Sequence, residues 1–525
     1  SIIFMELPFE VGPQFEGERI RKKEMYAELG GPKVALKCEL VKLANLDDIE
    51  DGKVTLRGLD IKDMEEGTKS TFVMFMEVAG EKLEEDMEGV IERKTHEYCN
   101  FIEGFMHLNQ RSDIWCRVSK DAIKKGFTLT HFGTALLDLF KTEWNLIEKM
   151  QITIITDETE AKKVIQIAKE SHEARDKKTR DLKESDVEEF YSCLMCQSFA
   201  PPHVCVITPE RKGLCGAISW IEARAASKAD SEGAMVPVIK GKVLDKEKGE
   251  YEGVNALVVE RSGGDNERFY LHSMFGFPHT SCGCFESLAF YIPEVDGIGI
   301  VHRDFTDETP VGVPFSRMAS QTGGGEQTEG ILGIAMDYMR SSKFLQADGG
   351  WNRIVWLPST IKEIYKDAIP EDIFNKIATE ETVKDTESLK SFLEKATHPV
   401  TQRWDFEITE EMESQFLEYI KPRDEIYLDE VADVVGITKE QIVKVANKLK
   451  NEDKIEGTIS SEGNDALTLK IKAGKEDSEI VTGVKEVVEQ VLPTMTGMQG
   501  IPSGSFKIVL KNAKIHIDQI IIRKK

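Results

Sequence analysis

YSCLMCQSFAPPHVCVITPERKGLCGAISW, residues 191–220, places Cys193, Cys196, Cys205 and Cys215 at the spacing C-x2-C-x8-C-x9-C. A two-residue gap lets two thiolates reach one metal or one cluster, because the chain folds round it in a single turn. The two later cysteines must return from loops. Pro201-Pro202 and Thr208-Pro209 keep the intervening chain out of helix, as wrapping a metal group requires. Two metals compete for such a set. A structural zinc site usually pairs two C-x2-C knuckles, and only one is present. Four thiolates on loops suit a [4Fe–4S] cube at least as well, and inert buried thiols are the third reading.

Farther on, FPHTSCGCFESLAFYIPE (277–294) contains Cys282-Gly283-Cys284. Thiolates at i and i+2 do not easily share one metal as a plain pair. They do so if the amide nitrogens of Gly283 and Cys284 also coordinate, giving a planar N2S2 chelate in which Gly283 has no Cβ to crowd the ring. Square-planar N/S ligation selects Ni(II) or Cu(II) over zinc or iron. The competing reading is a chance or structural thiol pair. In the chelate both thiolates keep lone pairs that can bridge to a second metal. Cys38, Cys99 and Cys116 stand apart from these groups and read as buried core thiols.

Outward from the cysteines, the chain of 525 residues is long enough for two to four domains. Its 68 basic and 93 acidic residues leave a net charge of −25, which argues against a nucleic-acid or anionic-membrane surface while leaving room for a local basic pocket. No apolar run reaches the roughly 18 residues of a membrane span, and no basic-then-apolar segment opens the chain, so the sequence reads as cytoplasmic. Val34–Leu43, Thr71–Val78 and Gln151–Asp157 have strand character. Met87–Met106 carries apolar residues at helical spacing, Lys120–Lys141 reads as a helix pair around Gly126 and Gly133, and Asp157 is placed to cap a following helix. The polar stretch 168–188 reads as a solvated helix or connector, which sets a first domain at 1–180. From there to 400, Ala256–Glu260, Gly297–His302 and Arg353–Leu357 read as strands of a second α/β domain, 181–400. In 401–525, Asp405–Glu418 is helical, Ile426–Ile455 reads as helix, turn at Gly436, helix, then a strand over Ile455–Ile459, and Phe506–Ile522 alternates like a small sheet. The fold class is therefore mixed α/β, multidomain, with a small winged-helix-like extension. Lys439, Lys444, Lys448 and Lys450 make its second helix basic, but Glu440 and Asp453 dilute that charge, and nucleic acid is not the expected partner.

CLMCQSFAPPHVCVITPERKGLCGAISW (193–220) and TSCGCFE (280–286) resemble the A-cluster motifs of the acetyl-CoA synthase family, the partner of carbon monoxide dehydrogenase. ELPFEVGPQFEGERIRK (6–22), EVAGEKLEEDMEGVIERKTHEY (77–98), LNQRSDIWCRVSK (108–120), TGGGEQTEGILG (322–333) and ADGGWNRIVWLP (347–358) agree with it, so the resemblance spans roughly residues 5 to 400. It implies an acyltransferase that condenses a methyl group from a methylated corrinoid iron–sulfur protein, carbon monoxide and coenzyme A. It implies that Cys193, Cys196, Cys205 and Cys215 hold a [4Fe–4S] cluster. Two nickel ions are implied beside it: a distal one on Cys282, Gly283 and Cys284, and a proximal one bridged by Cys196, Cys282 and Cys284, a site that also accepts copper or zinc. Phe199 lies beside the proximal metal by the same resemblance. The large N-terminal domain with which bacterial members dock the dehydrogenase is absent, which puts docking in doubt, and residues after 400 are not part of the bacterial catalytic core.

Coenzyme A needs cations for its phosphates and often an aromatic surface for its base. Arg211, Lys212, Arg303 and Arg353 are the candidate cations and Trp115 the candidate stacking ring, each weighed against a surface ion pair or core packing. His203 and His279, beside ligand cysteines, are candidate proton shuttles or hydrogen-bond donors to sulfur. Rival readings are an iron–sulfur electron-transfer or assembly protein, for which Cys282-Gly283-Cys284 has no use, and a zinc-stabilised winged-helix regulator.

Overall fold

The computed structural model describes residues 6–404, most of 406–461, and the strands at 467–471, 506–509 and 516–520. The chain divides into two compact units, Ser1–Glu407 and Ile408–Lys525. The class is the mixed α/β expected from the sequence, and among the described residues no helix is long and apolar enough to cross a membrane.

The first unit begins with two four-stranded sheets. In one, Lys37–Leu43 runs parallel to Phe72–Ala79 (Lys37 opposite Phe72). Phe72–Ala79 pairs antiparallel with Lys149–Ile155, and Val54–Arg57 closes the far edge. Phe72–Ala79 buries all but Phe75 and Glu77 because both its faces are covered, so the run reads as almost continuously apolar. The other sheet orders Lys69–Ser70, Met25–Gly30, Trp115–Ser119 and Phe105–Asn109. The Met87–Met106 periodicity overshoots: the helix is Glu88–Cys99, and Phe105–Asn109 is a strand. Ile102 and Phe105 are buried in the same core as Tyr98, so the apolar spacing continues past the turn although the helix does not. Asp157 caps the helix Glu158–Arg180 by accepting from the Glu160 amide.

That helix absorbs most of the polar stretch expected to be a connector. It is not solvated all round, since Ala161, Val164, Ala168, His172, Arg175 and Thr179 form a buried stripe. Its charged members meet Glu88 and Glu92 of the Glu88–Cys99 helix. Arg175 Nε lies 3.1 Å from Glu88 Oε2 and Nη1 lies 2.9 Å from Glu92 Oε2, while His172 Nε2 lies 3.2 Å from Glu92 Oε1. The two carboxylates also accept from the Val41 and Leu43 amides, tying both helices to one strand. Arg175 beside it holds the Glu92 carboxyl far below the usual range, overcoming the penalty of burial. Truncating Arg175 to Met is expected to leave Glu88 to Lys42 alone and Glu92 to His172 and Arg111, and to destabilise the chain by about 3 kcal/mol, read as a lowered denaturation midpoint.

The remainder of the unit supplies the two cysteine groups. Glu189–Cys193 is the centre of a three-stranded antiparallel sheet with Cys205–Ile207 and Met235–Ile239. A four-stranded sheet orders Ile331–Ile334, Ser287–Ile292, Gly297–His302 and Ile354–Trp356. The expected strand Ala256–Glu260 is instead the middle of the helix Glu252–Arg261. Val254, Leu257 and Val258 are buried at helical spacing while Val259 is exposed, a period the short apolar run concealed.

In the second unit, the helix Glu410–Ile420 precedes Leu428–Val435, a turn at Gly436 (φ 75°) and Lys439–Asn451. A sheet orders Glu425–Tyr427, Leu467–Ile471 and Gly457–Ser461, and Phe506–Val509 pairs with His516–Ile520. Asp405, Asp453 and Ile522, which belonged to expected features here, lie outside the described residues.

Candidate metal centre

Cys193 ends the strand Glu189–Cys193 and faces Cys205, the first residue of the next strand, as its direct antiparallel partner. The C-x2-C turn then carries Cys196 back over the sheet, with Ala200 N–H donating to Cys196 O. Cys215 is held on its loop by Gln110 Nε2, which donates to Cys215 O at 3.1 Å, and by Arg111 Nη1, which donates to Gly216 O at 2.7 Å. Ser219 and Glu222 close that loop with a reciprocal cap on the helix Trp220–Ala229. All four thiols are buried, and the Cys193 thiol feels the charges of Cys205, Cys196 and Cys215. Burial pushes Cys205 up to about 12 and Cys215 up to about 11, so binding a metal here releases protons.

Cys282 and Cys284 precede the strand Ser287–Ile292 and arrive beside Cys196. The Sγ atoms of Cys196, Cys282 and Cys284 lie within 4.8 Å of one another. Gly283 has φ 102°, a left-handed conformation that a side chain resists, and no heavy atom lies within 4 Å of where its Cβ would stand. The Cys284 amide nitrogen is turned inward, 3.3 Å from Cys282 Sγ, and Arg303 Nη2 donates to Gly283 O at 2.6 Å. A metal-bound, deprotonated Cys284 nitrogen would spread its charge onto that oxygen, where the guanidinium already sits. The loop is braced from behind. Gly325 N donates to Ser281 O at 2.7 Å, and a Cβ on Gly325 would stand 2.7 Å from His203 N, so only glycine lets the 323–325 turn pass between the two cysteine segments.

Two further groups complete the pocket. Arg93, on the Glu88–Cys99 helix, is 1% exposed and donates from Nη2 to Cys196 Sγ at 3.0 Å, while its Nη1 is buried without a hydrogen-bond partner. Its guanidinium interacts with the charges of Cys196, Cys284, Cys215 and Cys193, in that order of strength. Hydrogen bonds from Cys196 and Cys282, aided by Arg93 and Arg303, hold Cys284 well below the usual thiol range. Hydrogen bonds with Cys196 and Cys284, together with burial, push Cys282 far above that range. One residue pair further back, His96 Nε2 lies 3.6 Å from Cys284 Sγ, His96 Nδ1 lies 2.6 Å from His107 Nδ1, and His107 Nε2 lies 3.1 Å from Glu39 Oε2. Burial raises the Glu39 carboxyl and lowers His96. These contacts link the Glu39 carboxyl through His107 and His96 to the Cys284 sulfur in one hydrogen-bonded chain. A set of soft sulfurs with one inward amide, a buried guanidinium and a half-buried one fits a thiolate-bound metal.

Phe199 packs against Cys196 and Cys282 at the rim of the trio. Of the candidate coenzyme contacts, Arg303 is engaged with the carbonyls of Gly283 and Phe285, and Arg353 forms a buried pair with Asp296 at 2.6 Å. Trp115 lies under Arg117, whose guanidinium is 5.1 Å from its ring, and against Gly31. Arg211 and Lys212 line a common cavity. His279 spends Nε2 on the Val206 amide and Nδ1 on Thr280 O, and His203 Nδ1 meets Thr280 Oγ1, so these contacts turn both rings toward the loop scaffold. Arg93, His96, His107 and Glu39 were missed in the sequence. The helix that carries Arg93 and His96 is buried on nearly every side, with Glu88, Glu92, Arg93 and His96 as well as Val90 and Ile91, whereas its charges read in sequence as a solvated face.

Fold and site together define a class of protein able to hold a metal on cysteine sulfurs, with Cys196, Cys282 and Cys284 in one pocket and Cys193 paired across its sheet with Cys205. Two family models match it: that of the CO dehydrogenase/acetyl-CoA synthase complex beta subunit over residues 7–161, and that of the C-terminal part of the ACS/CODH beta subunit over 172–405. The chain is 54% identical to the acetyl-CoA decarbonylase/synthase complex subunit beta of Methanopyrus kandleri over 400 residues, 76% of this chain and 85% of that one. It is 52% identical to the subunit of the same name from Methanothermobacter thermautotrophicus over 413 residues, 79% of this chain and 89% of that one. A solved C-terminal domain of an acetyl-Coenzyme A synthase alpha subunit matches at 39% identity, covering 23% of this chain and 95% of that domain, with a TM-score of 0.21. The chain belongs to the beta-subunit family of the acetyl-CoA decarbonylase/synthase complex. Both family matches end by residue 405, short of the second unit.

Proposed function

We propose that this chain makes and breaks the acetyl group of acetyl-CoA at a centre of two nickel ions beside a [4Fe–4S] cluster, with carbon monoxide, coenzyme A and a methylated corrinoid protein as reactants and carbon monoxide dehydrogenase as a partner. The observation that carries this reading is the convergence of Cys282 and Cys284 on Cys196, a residue of the other cysteine group. When bound, the centre supplies an electron-rich metal at which a methyl group and carbon monoxide can be joined. Cys193, Cys196, Cys205 and Cys215 would hold the cluster; Cys282, Gly283 and Cys284 would hold one nickel; Cys196, Cys282 and Cys284 would hold the other. The chain's own work is then ligation and charge. Arg93 and Arg303 offset the thiolates in a site where burial makes uncompensated charge costly, His96 Nε2 faces the Cys284 sulfur, and Phe199 packs against the cluster of Cys196, Ala200 and Cys282. Arg211 and Lys212 would meet the phosphates of coenzyme A. Nine free cysteines suit a reducing compartment, the cytoplasm.

A simple electron carrier leaves the Cys282-Gly283-Cys284 loop without a task. Elemental analysis of anaerobically purified protein is expected to give about four irons and one to two nickels per chain. The loaded protein should exchange labelled carbon monoxide into the carbonyl of acetyl-CoA. Zinc alone in a fully loaded sample, without exchange, rejects the reading.

A further inference from the structure

A reactant enters the three-sulfur pocket where its wall is least buried. Cys284 is half-buried while the other eight cysteines are buried, Phe199 packs on the same sulfur cluster and is half-buried, and Ser198 is exposed. Glu16 meets this rim from the first turns of the chain, its Oε1 accepting from Ser198 Oγ at 2.8 Å. Its position is fixed from both sides. The segment around Glu16 is tied to the turn after the Glu88–Cys99 helix: Gly12 N donates to Phe101 O at 2.8 Å, Glu103 N to Glu10 O at 3.1 Å, and Gly104 N to Glu18 Oε2 at 2.9 Å. Arg93 on that helix is bonded to Cys196, and the charges of both residues act on the Glu16 carboxyl.

Acetyl transfer to coenzyme A has a proton to remove, because the coenzyme arrives as a thiol and leaves as a thioester. The histidines near the cysteines do not stand at the rim: His96, His203 and His279 are at most 5% exposed. Glu16 is half-buried and, among the described residues, makes no ion pair and has Ser198 as its one side-chain hydrogen-bond partner. Burial raises its carboxyl above the ordinary range. Of the groups facing it, Ser198 and Arg93 lower it, while Glu97 and Cys196 raise it. A partly desolvated carboxylate holds a proton better than a solvated one and so makes a better base near neutral pH. We propose, resting on the acetyl-CoA reading above, that Glu16 is the catalytic base that takes the thiol proton of coenzyme A at the mouth of the pocket. The S–H bond breaks, its proton passes to a Glu16 oxygen, and the electron pair left on sulfur makes the C–S bond of the thioester. The bond that held the acetyl carbon breaks and leaves its electrons on the centre. In the cleavage direction Glu16 returns the proton to sulfur.

The test uses the full, metal-loaded chain with its Glu16→Gln and Ser198→Ala variants, and follows exchange of labelled coenzyme A with acetyl-CoA against pH, beside coenzyme affinity and metal content. Glu16→Gln still accepts from Ser198 but cannot take the proton. It should keep its iron, nickel and coenzyme affinity and lose about 100-fold or more in exchange near neutral pH. Its residual rate should climb about ten-fold per pH unit with the thiolate fraction, so that the gap to the parent narrows as the thiol ionises unaided. In infrared difference spectra, a carboxyl band present in the parent and missing from Glu16→Gln should titrate above the ordinary carboxylate range. Equal rates in an active parent and Glu16→Gln overturn the role of Glu16 alone. A fully loaded parent that exchanges no coenzyme overturns the acetyl-CoA reading and this role with it. Equal losses in both variants with an unaltered pH profile make the contact a mere latch between two segments and overturn the proposal as well. If Glu16→Gln does not fold, Ser198→Ala decides. Ser198 is exposed, so the variant should fold, and loss of its hydrogen bond should move the acid limb of the pH profile upward; an unmoved limb overturns the proposal.

Discussion

Cys284→Ser is expected to abolish nickel uptake while most of the iron stays. Cys284 is the member of the trio whose thiol is held well below the usual range, His96 Nε2 lies 3.6 Å from its sulfur, and its amide faces Cys282 Sγ. A serine hydroxyl is harder and far less acidic, so it neither completes a square-planar N/S set nor bridges to a second metal. The four cysteines of the cradle are untouched by the change, and their sheet, loop and cap contacts do not pass through Cys284. Iron and nickel assays on the same anaerobic sample check it: nickel near zero, iron near the parent value, carbonyl exchange lost. Full nickel with full activity in that variant would falsify the ligand assignment.

Arg93→Met is expected to lower the affinity for iron and nickel together, by about 10–100-fold, the usual effect of removing a hydrogen-bond partner from a metal ligand. Arg93 bonds Cys196, the cysteine common to both groups, and its charge acts on Cys284, Cys215 and Cys193 as well. A merely structural role predicts a loss of stability in the metal-free chain. A role in holding metal predicts instead a loss of metal affinity larger than any loss of stability in the metal-free chain, because Arg93 bonds Cys196 and its charge acts on the sulfurs of both groups. Chelator competition on the loaded protein, set beside thermal unfolding of the metal-free form, separates the two. Arg93→Lys should recover part of the affinity, since it restores the charge without the forked geometry.

The cysteine spacing was legible because a metal group imposes it locally. C-x2-C requires one turn, C-G-C requires a glycine able to take φ 102°, and both demands are met within a few residues. Strands such as Gly297–His302 and the Asp157 cap were equally local. What escaped was set by distant partners. The 168–188 stretch read as solvated because its charges face Glu88 and Glu92, some 80 residues earlier, and nothing in the stretch announces them. Ala256–Glu260 read as a strand because four apolar residues in a row hide whether one face or two will be buried. The His96–His107–Glu39 chain joins a helix to two different sheets, and no single window of sequence contains it. The coenzyme candidates fared unevenly for the same reason: a cation's role depends on whether an acid awaits it. Arg353 has Asp296, whereas the Arg211 nitrogens have no hydrogen-bond partner.

Anomalous diffraction from an anaerobic crystal, collected across the iron and nickel edges, tests the central claim most directly. The account predicts an iron peak within the cradle of Cys193, Cys196, Cys205 and Cys215, a nickel peak in the plane of Cys282, Gly283 and Cys284, and a second metal between that loop and Cys196. An iron cluster with no metal at residues 282–284, or a metal there that does not connect to Cys196, would contradict it.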